Sequence, residues 1–148
     1  MKYTLNLDKT KEEEIIIFAH SRNELIESIE KLIEGQNYSL IGYKNQQIYK
    51  LDLNNVFCFT VEDNKVYALL DKEKLLVKER LYVIEQLINN DFVKINQSCI
   101  ANIKKIDRFD ASISGSLIVI FKNGHRDYVS RRQIKIVKER IGIKWKNI

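Results

Sequence analysis

The sequence predicts a mainly β protein of the α+β class, made of short antiparallel strands with small helices. Three observations support this class. From residue 38 onward, short apolar or alternating segments are separated by polar turns, which is the pattern of consecutive strands. Asn123 and Gly124 lie between two such segments, and this dipeptide is a strong hairpin signal. Only three stretches have the apolar spacing of a helix, and each of them is short.

The β-rich part contains nine predicted strands and two predicted helices. The strands cover residues 38–43, 47–51, 56–61, 66–70, 75–78, 92–95, 103–109, 117–122 and 126–129. One helix covers residues 80–88. The other covers residues 131–141, is capped by Ser130 and ends at Gly142, because glycine readily adopts the left-handed conformation that ends a helix.

Residues 1–37 are predicted to form a ββα extension that precedes a domain of residues 38–148. Residues 2–7 and 14–19 have strand patterns. A helix follows, with Ser21 and Glu24 as its capping box and Gly35 at its end. One face of this helix is apolar, formed by Leu25, Ile26, Ile29, Leu32 and Ile33. An extension of this size is not stable alone, so it must pack on the domain or on another subunit.

The positive charge is concentrated at the C-terminal end. Residues 93–148 contain 13 Lys and Arg against 4 Asp and Glu, whereas residues 1–37 contain 5 against 8 and residues 38–92 contain 7 against 8. The basic residues are interleaved with apolar residues that must pack, so they form a folded surface and not a solvated tail. A basic surface of this kind indicates a polyanionic partner.

Several classes of function are not supported by any motif. The chain has no glycine-rich phosphate loop and no nucleophile elbow, and His20 and His125 are too isolated for a metal site. We therefore predict no enzymatic activity, no metal and no cofactor. His125 follows a hairpin turn and is predicted to be exposed. Cys58 and Cys99 are predicted to be reduced apolar core residues, in a soluble cytoplasmic protein without a signal peptide or membrane span.

Two arginines, Arg131 and Arg132, fall in the first turn of the predicted C-terminal helix. Cations at a helix N-terminus oppose the helix dipole, at a cost of roughly 0.3–1 kcal/mol each. An anionic partner would explain them, because arginine binds phosphate or the guanine edge through two parallel hydrogen bonds. The alternative is a solvated start of the helix.

Two amides, Asn96 and Gln97, directly follow the predicted strand 92–95. Amides in this position commonly close a turn. They are also the side chains that bind adenine in the major groove of DNA. The residue types alone leave both interpretations open.

Residues 38–143 resemble the LytTR-type DNA-binding domain, the output module of bacterial transcription regulators. Two segments carry most of the resemblance, FVKINQSCIANIKKI from Phe92 and NGHRDYVSRRQIKIVKERI from Asn123. The segment VFCF at 56–59 with its following turn, and the helical pattern at 81–87, are similar to the family as well. The resemblance implies an elongated module of short β-strands, and a sequence-specific regulator that reads major grooves of double-stranded DNA through its loops.

The resemblance also implies which residues contact DNA. They fall in three regions and one isolated position: Asp63, Asn64 and Lys65; Asn96, Gln97 and Ser98; Ser130, Arg131 and Arg132; and Lys94, a basic position expected to contact phosphate. Asn102 is expected to be structural and to bond the backbone in a turn. Family members often have His-Arg where this chain has Asn96 and Gln97. This difference removes a cation and should shift base preference.

Many family members have a receiver domain before this module, and residues 1–37 are too short for one. We expect a homodimer formed through the apolar helix face of Leu25, Ile29 and Leu32. The alternative is that this face covers the sheet of its own module. A membrane partner protein is implied by the resemblance alone. A competing function is a non-enzymatic module that binds RNA or an acidic protein through its basic face.

Overall fold

The computed structural model describes residues 2–34 and 40–142. Within these ranges the chain forms ten strands, all paired antiparallel, and three α-helices. The strands are β1 Ile41–Lys44, β2 Gln47–Lys50, β3 Cys58–Glu62, β4 Lys65–Leu69, β5 Lys74–Val77, β6 Phe92–Asn96, β7 Cys99–Asn102, β8 Ile106–Asp110, β9 Leu117–Phe121 and β10 Arg126–Val129. The helices are α1 Glu24–Glu34, α2 Leu81–Leu87 and α3 Ile134–Ile141. The predicted fold class is confirmed.

The strands form a seven-stranded sheet and a three-stranded sheet. Their orders are β2-β1-β5-β4-β3-β7-β6 and β10-β9-β8. Tight turns join β1 to β2 and β3 to β4, with positive φ at Asn45, Gln46, Asp63 and Asn64. Asparagine and aspartate tolerate this left-handed conformation, and two consecutive left-handed residues match the twist of a hairpin.

Two apolar cores lie on opposite faces of β3, β7 and β6. Phe59, Ile100 and Phe92 pack in the first core, together with α2. Cys58, Cys99, Ala101, Val93 and Ile95 pack in the second, together with the three-stranded sheet and α3. Because successive strand residues point to opposite faces, these three strands are buried on both sides. The position of their connecting turns is therefore fixed by packing from above and below.

Strand β7 was not predicted. The strand predicted at 103–109 begins three residues later in the structure. Residues Ile103–Lys105 form a 3₁₀ turn, and β8 begins at Ile106. The buried Asn102 organises this turn: its side chain donates to the Val56 carbonyl oxygen (2.8 Å) and accepts from the Lys104 backbone nitrogen (3.1 Å). The prediction that Asn102 is structural is confirmed.

The N-terminal prediction is wrong in two respects. Residues 2–7 and 14–19 form no strand and belong to neither sheet in the part of the chain that is described. Helix α1 starts at Glu24, and Asn23, not Ser21, caps it through a hydrogen bond from the Ile26 backbone nitrogen (3.0 Å). The predicted C-terminal residue of this helix, Gly35, lies outside the described residues.

The C-terminal helix α3 begins at Ile134, three residues later than predicted. The Ser130 carbonyl oxygen, rather than its hydroxyl, accepts hydrogen bonds from the backbone nitrogens of Gln133 (2.9 Å) and Ile134 (3.1 Å). Residues 131–133 therefore form a turn before the helix. Gly142 ends α3 in the left-handed conformation (φ 75°), as predicted.

Gly42 on β1 lies against two core leucines, and we expect Gly42→Ala to destabilise the protein. An added Cβ would lie 2.8 Å from the Leu75 Cβ and 3.2 Å from the Leu51 Cδ2, closer than carbon atoms pack. Both leucines are buried, so the strands must shift, which costs about 1–3 kcal/mol. Urea unfolding measures this change. The exposed Ser114→Ala is the control, with a change within about 0.5 kcal/mol. An unchanged midpoint for Gly42→Ala would contradict the close packing.

Candidate nucleic-acid interface

Two of the predicted contact regions lie at the same edge of the seven-stranded sheet. The β3–β4 turn contains Asp63 and Asn64, and the β6–β7 turn contains Gln97 and Ser98. Strands β3 and β7 are antiparallel neighbours, so the end of β3 lies beside the start of β7. The Val61 backbone nitrogen donates to the Ser98 carbonyl oxygen (2.9 Å), which joins the bases of the two turns.

The third predicted region lies at the end of β6 that leads into the same turn. The Ser130 backbone nitrogen donates to the carbonyl oxygen of Ile95, two residues before Gln97 (2.8 Å). Arg131 and Arg132 follow with exposed side chains. The prediction that they lie in the first turn of a helix is wrong. They lie in the turn that precedes α3. We call the surface formed by the β3–β4 turn, the β6–β7 turn, residues 78–80 and residues 130–132 the basic edge.

An open groove connects the first two regions along the basic edge. It has a volume of about 780 Å³, and its polar lining residues are Asn64, Lys65, Lys78, Glu79, Arg80, Lys94 and Gln97, with Tyr82 beside them. Sequence reasoning missed Lys78, Arg80 and Tyr82. They follow β5, and only the order of the strands, in which β5 lies next to β4, indicates that its end reaches this edge.

The cations of the basic edge have no carboxylate partner among the described ion pairs. Elsewhere Lys44, Lys74, Lys104, Arg108 and Arg126 each pair with an Asp or Glu. None of the described pairs includes Lys65, Arg80, Lys94, Arg131 or Arg132, which are exposed except for the half-buried Lys94. Lys78 makes a cation–π contact, with its Nζ 4.3 Å from the centre of the Tyr43 ring. The cations of the basic edge outnumber its two carboxylates, Asp63 and Glu79, so the surface has a net positive charge.

Asn96 does not lie on this surface, which corrects its prediction as a DNA contact. Its side chain is 1% exposed, and both polar atoms are hydrogen-bonded. The amide nitrogen donates to the Asp127 Oδ1 (3.0 Å) and the Tyr128 carbonyl oxygen (2.8 Å), and the amide oxygen accepts from the Ser98 backbone nitrogen (2.8 Å). Of the two interpretations left open for this amide, the structure supports the closing of a turn.

These hydrogen bonds hold the parts of the basic edge together. Asn96 belongs to the seven-stranded sheet, and Tyr128 belongs to the three-stranded sheet. One buried side chain thus links the β6–β7 turn to the strand that leads into Ser130. Arg140 of α3 adds a second link, because its guanidinium donates to the carbonyl oxygens of Asn90 and Phe92 (3.0 Å for Phe92) at the start of β6.

Beneath the edge, Cys58 and Cys99 are free and buried, as predicted. The neighbouring Cys99 thiol lowers the pKa of Cys58 to about 7, with a smaller contribution from His125 and against the opposing effect of burial. Cys58 in turn raises the pKa of Cys99, together with burial, and the neighbouring Cys58 also raises the pKa of His125. His125 is half-buried, not exposed as predicted, and its Nε2 is buried without a described partner. No group of three metal-ligating side chains occurs among residues 2–34 and 40–142.

The predicted contact residues therefore divide into three groups by exposure. Asn64, Lys65, Gln97, Ser98, Arg131 and Arg132 are exposed, Lys94 and Ser130 are half-buried, and Asn96 is buried. The structure brings the exposed and half-buried residues together at the basic edge. Their contact with DNA stays a prediction.

Comparison with known proteins gives sequence matches to a family and to individual relatives. The family model described as "LytTr DNA-binding domain" matches residues 46–142. Uncharacterised HTH-type transcriptional regulators from Staphylococcus aureus strains COL and MW2 are each 30% identical over 146 residues. These matches cover 97% of this chain and 99% of each relative.

A solved structure has a similar fold. It is the LytTr DNA-binding domain of a putative methyl-accepting/DNA response regulator from Bacillus cereus, with a TM-score of 0.67 and 18% identity. The similarity covers 71% of this chain and 97% of the Bacillus cereus domain. In the part of this chain that is described, no helix is long and apolar enough to cross a membrane.

We expect Asn96→Ala to unfold the protein more easily and not merely to change its surface. The substitution leaves the Ser98 backbone nitrogen and the Tyr128 carbonyl oxygen without their partner, which costs about 2–4 kcal/mol. Urea unfolding gives this value. Gln97→Ala is the matched control, because Gln97 is the neighbouring exposed amide and its loss should cost less than about 0.5 kcal/mol. Equal stabilities of the two variants would contradict the structural role of Asn96.

Proposed function

Because the chain belongs to the LytTR family of DNA-binding domains, we propose that it is a sequence-specific transcription regulator. In this proposal it binds double-stranded DNA in the major groove through the turns of the basic edge. It works as a homodimer in the bacterial cytoplasm, where its DNA target is accessible, and it acts by binding rather than by catalysis.

One observation carries the proposal: exposed cations and exposed amides lie side by side at the basic edge. Nucleic-acid binding needs both kinds of group, since cations neutralise phosphates and give affinity, while side chains in the groove contact base edges and give specificity. The cations of the basic edge repel one another, which slightly lowers the stability of the free protein. A bound polyanion removes this repulsion.

The spacing of the two turns suits readout at more than one position. The β3–β4 turn and the β6–β7 turn are built on the four neighbouring strands β4, β3, β7 and β6. Adjacent strands are about 4.8 Å apart, so the centres of the two turns are about 10 Å apart. The major groove is about 12 Å wide. The turns are thus separate projections that contact different base pairs on one side of a duplex.

The side chains have different roles in this proposal. Exposed groups at the tips, Asn64, Lys65, Gln97 and Arg132, contact bases. Cations set back along the groove, Lys78, Arg80 and Lys94, contact phosphates together with the hydroxyl groups of Ser98 and Ser130, and Arg131 supports Arg132 on the adjoining backbone. Asn96 does not contact DNA in this proposal, and its hydrogen bonds hold the β6–β7 turn in place.

A dimer would place two basic edges on two half-sites. The second edge binds after the first at a high effective concentration, so the two-site affinity exceeds the affinity for one half-site without any new type of contact. The spacing of the half-sites is then set by the dimer interface.

We expect Arg132→Ala to reduce both affinity and discrimination at one position of the site. The arginine is exposed beside the β6–β7 turn, and loss of a bidentate base contact costs about 1–3 kcal/mol. Fluorescence anisotropy measures it, with the duplex that the protein selects from a random pool and with single-base variants of that duplex. Lys72→Ala is the control, because Lys72 is an exposed cation on the β4–β5 connection at the opposite end of the sheet. Unchanged discrimination by Arg132→Ala would count against base readout by this residue.

Lys94→Ala should behave differently, as a phosphate contact. We expect it to weaken binding to all sequences alike and to reduce the slope of log K against log salt concentration by about one unit. The same anisotropy titration at four salt concentrations shows both effects, with Lys72→Ala again as the control. A loss confined to the selected sequence would overturn the assignment of Lys94 to phosphate.

A further inference from the structure

The single chain exposes much more surface than a compact protein of its mass. Its accessible surface is 11,771 Å² for 17.5 kDa. A compact monomer of this mass exposes about 7,900 Å², so the surplus is about 3,900 Å².

The exposed apolar side chains are concentrated in residues 3–33. Three of them are almost fully exposed, Tyr3 at 92%, Leu7 at 89% and Phe18 at 94%. The others in this segment are Leu5, Ile15, Ile16, Ile17, Leu25, Leu32 and Ile33. Monomeric soluble proteins rarely expose a contiguous apolar surface beyond a few hundred Å², and larger ones mark interaction sites. We call residues 3–33 the apolar arm.

The apolar arm contains a tight turn with strand-patterned sequence on both sides of it, but no strand. Asp8 forms the turn, accepting hydrogen bonds at Oδ1 from the Thr10 backbone nitrogen (2.9 Å) and at its carbonyl oxygen from the Lys11 backbone nitrogen (3.4 Å). Residues 3–7 and 15–18 lie on either side with strand patterns. A two-stranded hairpin is at best marginally stable in water, so it needs a further apolar surface to pack against.

Within the single chain, the arm is covered only in part. Both apolar cores consist of residues from position 40 onward, and none of the described residues of the arm belongs to either core. Helix α1 leaves Leu25 47% and Leu32 76% exposed. Ile26 of the same face is 8% exposed, so this face is partly covered within its own chain, and its remaining apolar side chains are available to a partner.

We propose that the apolar arms of two copies of this chain pack on each other and form the dimer interface. The inference deepens the proposed function, on which it rests for the use of two half-sites. A twofold axis places the hairpin and α1 of one copy against the same elements of the other, so each arm covers the apolar residues of its partner. An obligate homodimer buries about 2,000 Å² or more in total, so each copy must contribute about 1,000 Å², which is less than the surplus of one copy.

The location of the arm suits this role. The net charge of residues 1–37 is negative, with 5 Lys and Arg against 8 Asp and Glu, whereas the basic edge is positive. DNA repels the arm and attracts the edge, so an interface formed by the arms leaves both basic edges free for DNA.

Sedimentation velocity of the full chain tests the proposal. We expect a species of twice 17.5 kDa at about 10 μM, the concentration range in which an interface of this size remains associated. The double substitution Leu5→Asp with Ile16→Asp should weaken dimerisation at least about 100-fold, because each charge is buried twice in a symmetric dimer. Ile113→Asp is the matched control, because it places the same charge at an exposed isoleucine outside the arm and should leave the dimer intact. A monomeric wild-type chain, or a double variant that dimerises like the control, would overturn the proposal.

Hydrogen exchange at two protein concentrations supplies a second test that does not depend on the variants. Backbone amides of residues 3–7 and 15–18 should be protected from exchange at about 50 μM. Their protection factors should fall at least about tenfold at concentrations where the chain is monomeric. Fast exchange at both concentrations would contradict strand formation across the interface. A dimer that binds a shuffled duplex as well as the selected one would leave the interface standing and would refute only the proposed function.

Discussion

The burial of three strands on both faces is the constraint on which the rest of this structure depends. Strands β3, β7 and β6 separate two apolar cores, and every turn of the basic edge is attached to one of them or to a neighbour. The turns themselves are polar and exposed, so they have few contacts of their own. The strands determine their positions. A shift of one residue in strand register would move Phe59 and Cys58 to the opposite faces of the sheet, so each would point into the wrong core.

The hydrogen bonds of Asn96 connect this frame to the rest of the edge. Packing alone would leave the small sheet free to shift against the large one, since apolar contacts are not directional. A buried amide with all its hydrogen bonds made is directional, and it stabilises only one arrangement of β6 against β10. The relatives from Staphylococcus aureus are named HTH-type regulators. In this chain the candidate interface consists of turns between strands, with α3 behind them as a support.

Local patterns predicted much of the fold. Strand β10 was predicted to the residue, and the hairpin at Asn123 and Gly124 is present, because turn chemistry and alternation act over a few residues. Strand β7 was missed for a physical reason. Cys99, Ile100 and Ala101 are all buried, so the alternation that reveals a half-buried strand is absent.

The candidate site was harder to predict than the fold. The role of Asn96 depends on Asp127, which is 31 residues away, and no local rule indicates that pairing. Lys78 and Arg80 join the site only through the order of the strands. The strand patterns of residues 2–7 and 14–19 have no partner within the described chain. Their alternation is real in the sequence, and the proposed dimer would supply the missing edge.

Specific recognition of double-stranded DNA is the central claim, and competition between two duplexes tests it most directly. The full chain would first select a sequence from a random duplex pool, and its affinity for that duplex and for a shuffled duplex of equal composition would then be measured by anisotropy at about 0.15 M salt. We predict a preference of at least about 10³-fold for the selected duplex. Equal and strongly salt-dependent binding to both would contradict the account, because the basic edge would then be a surface for any polyanion.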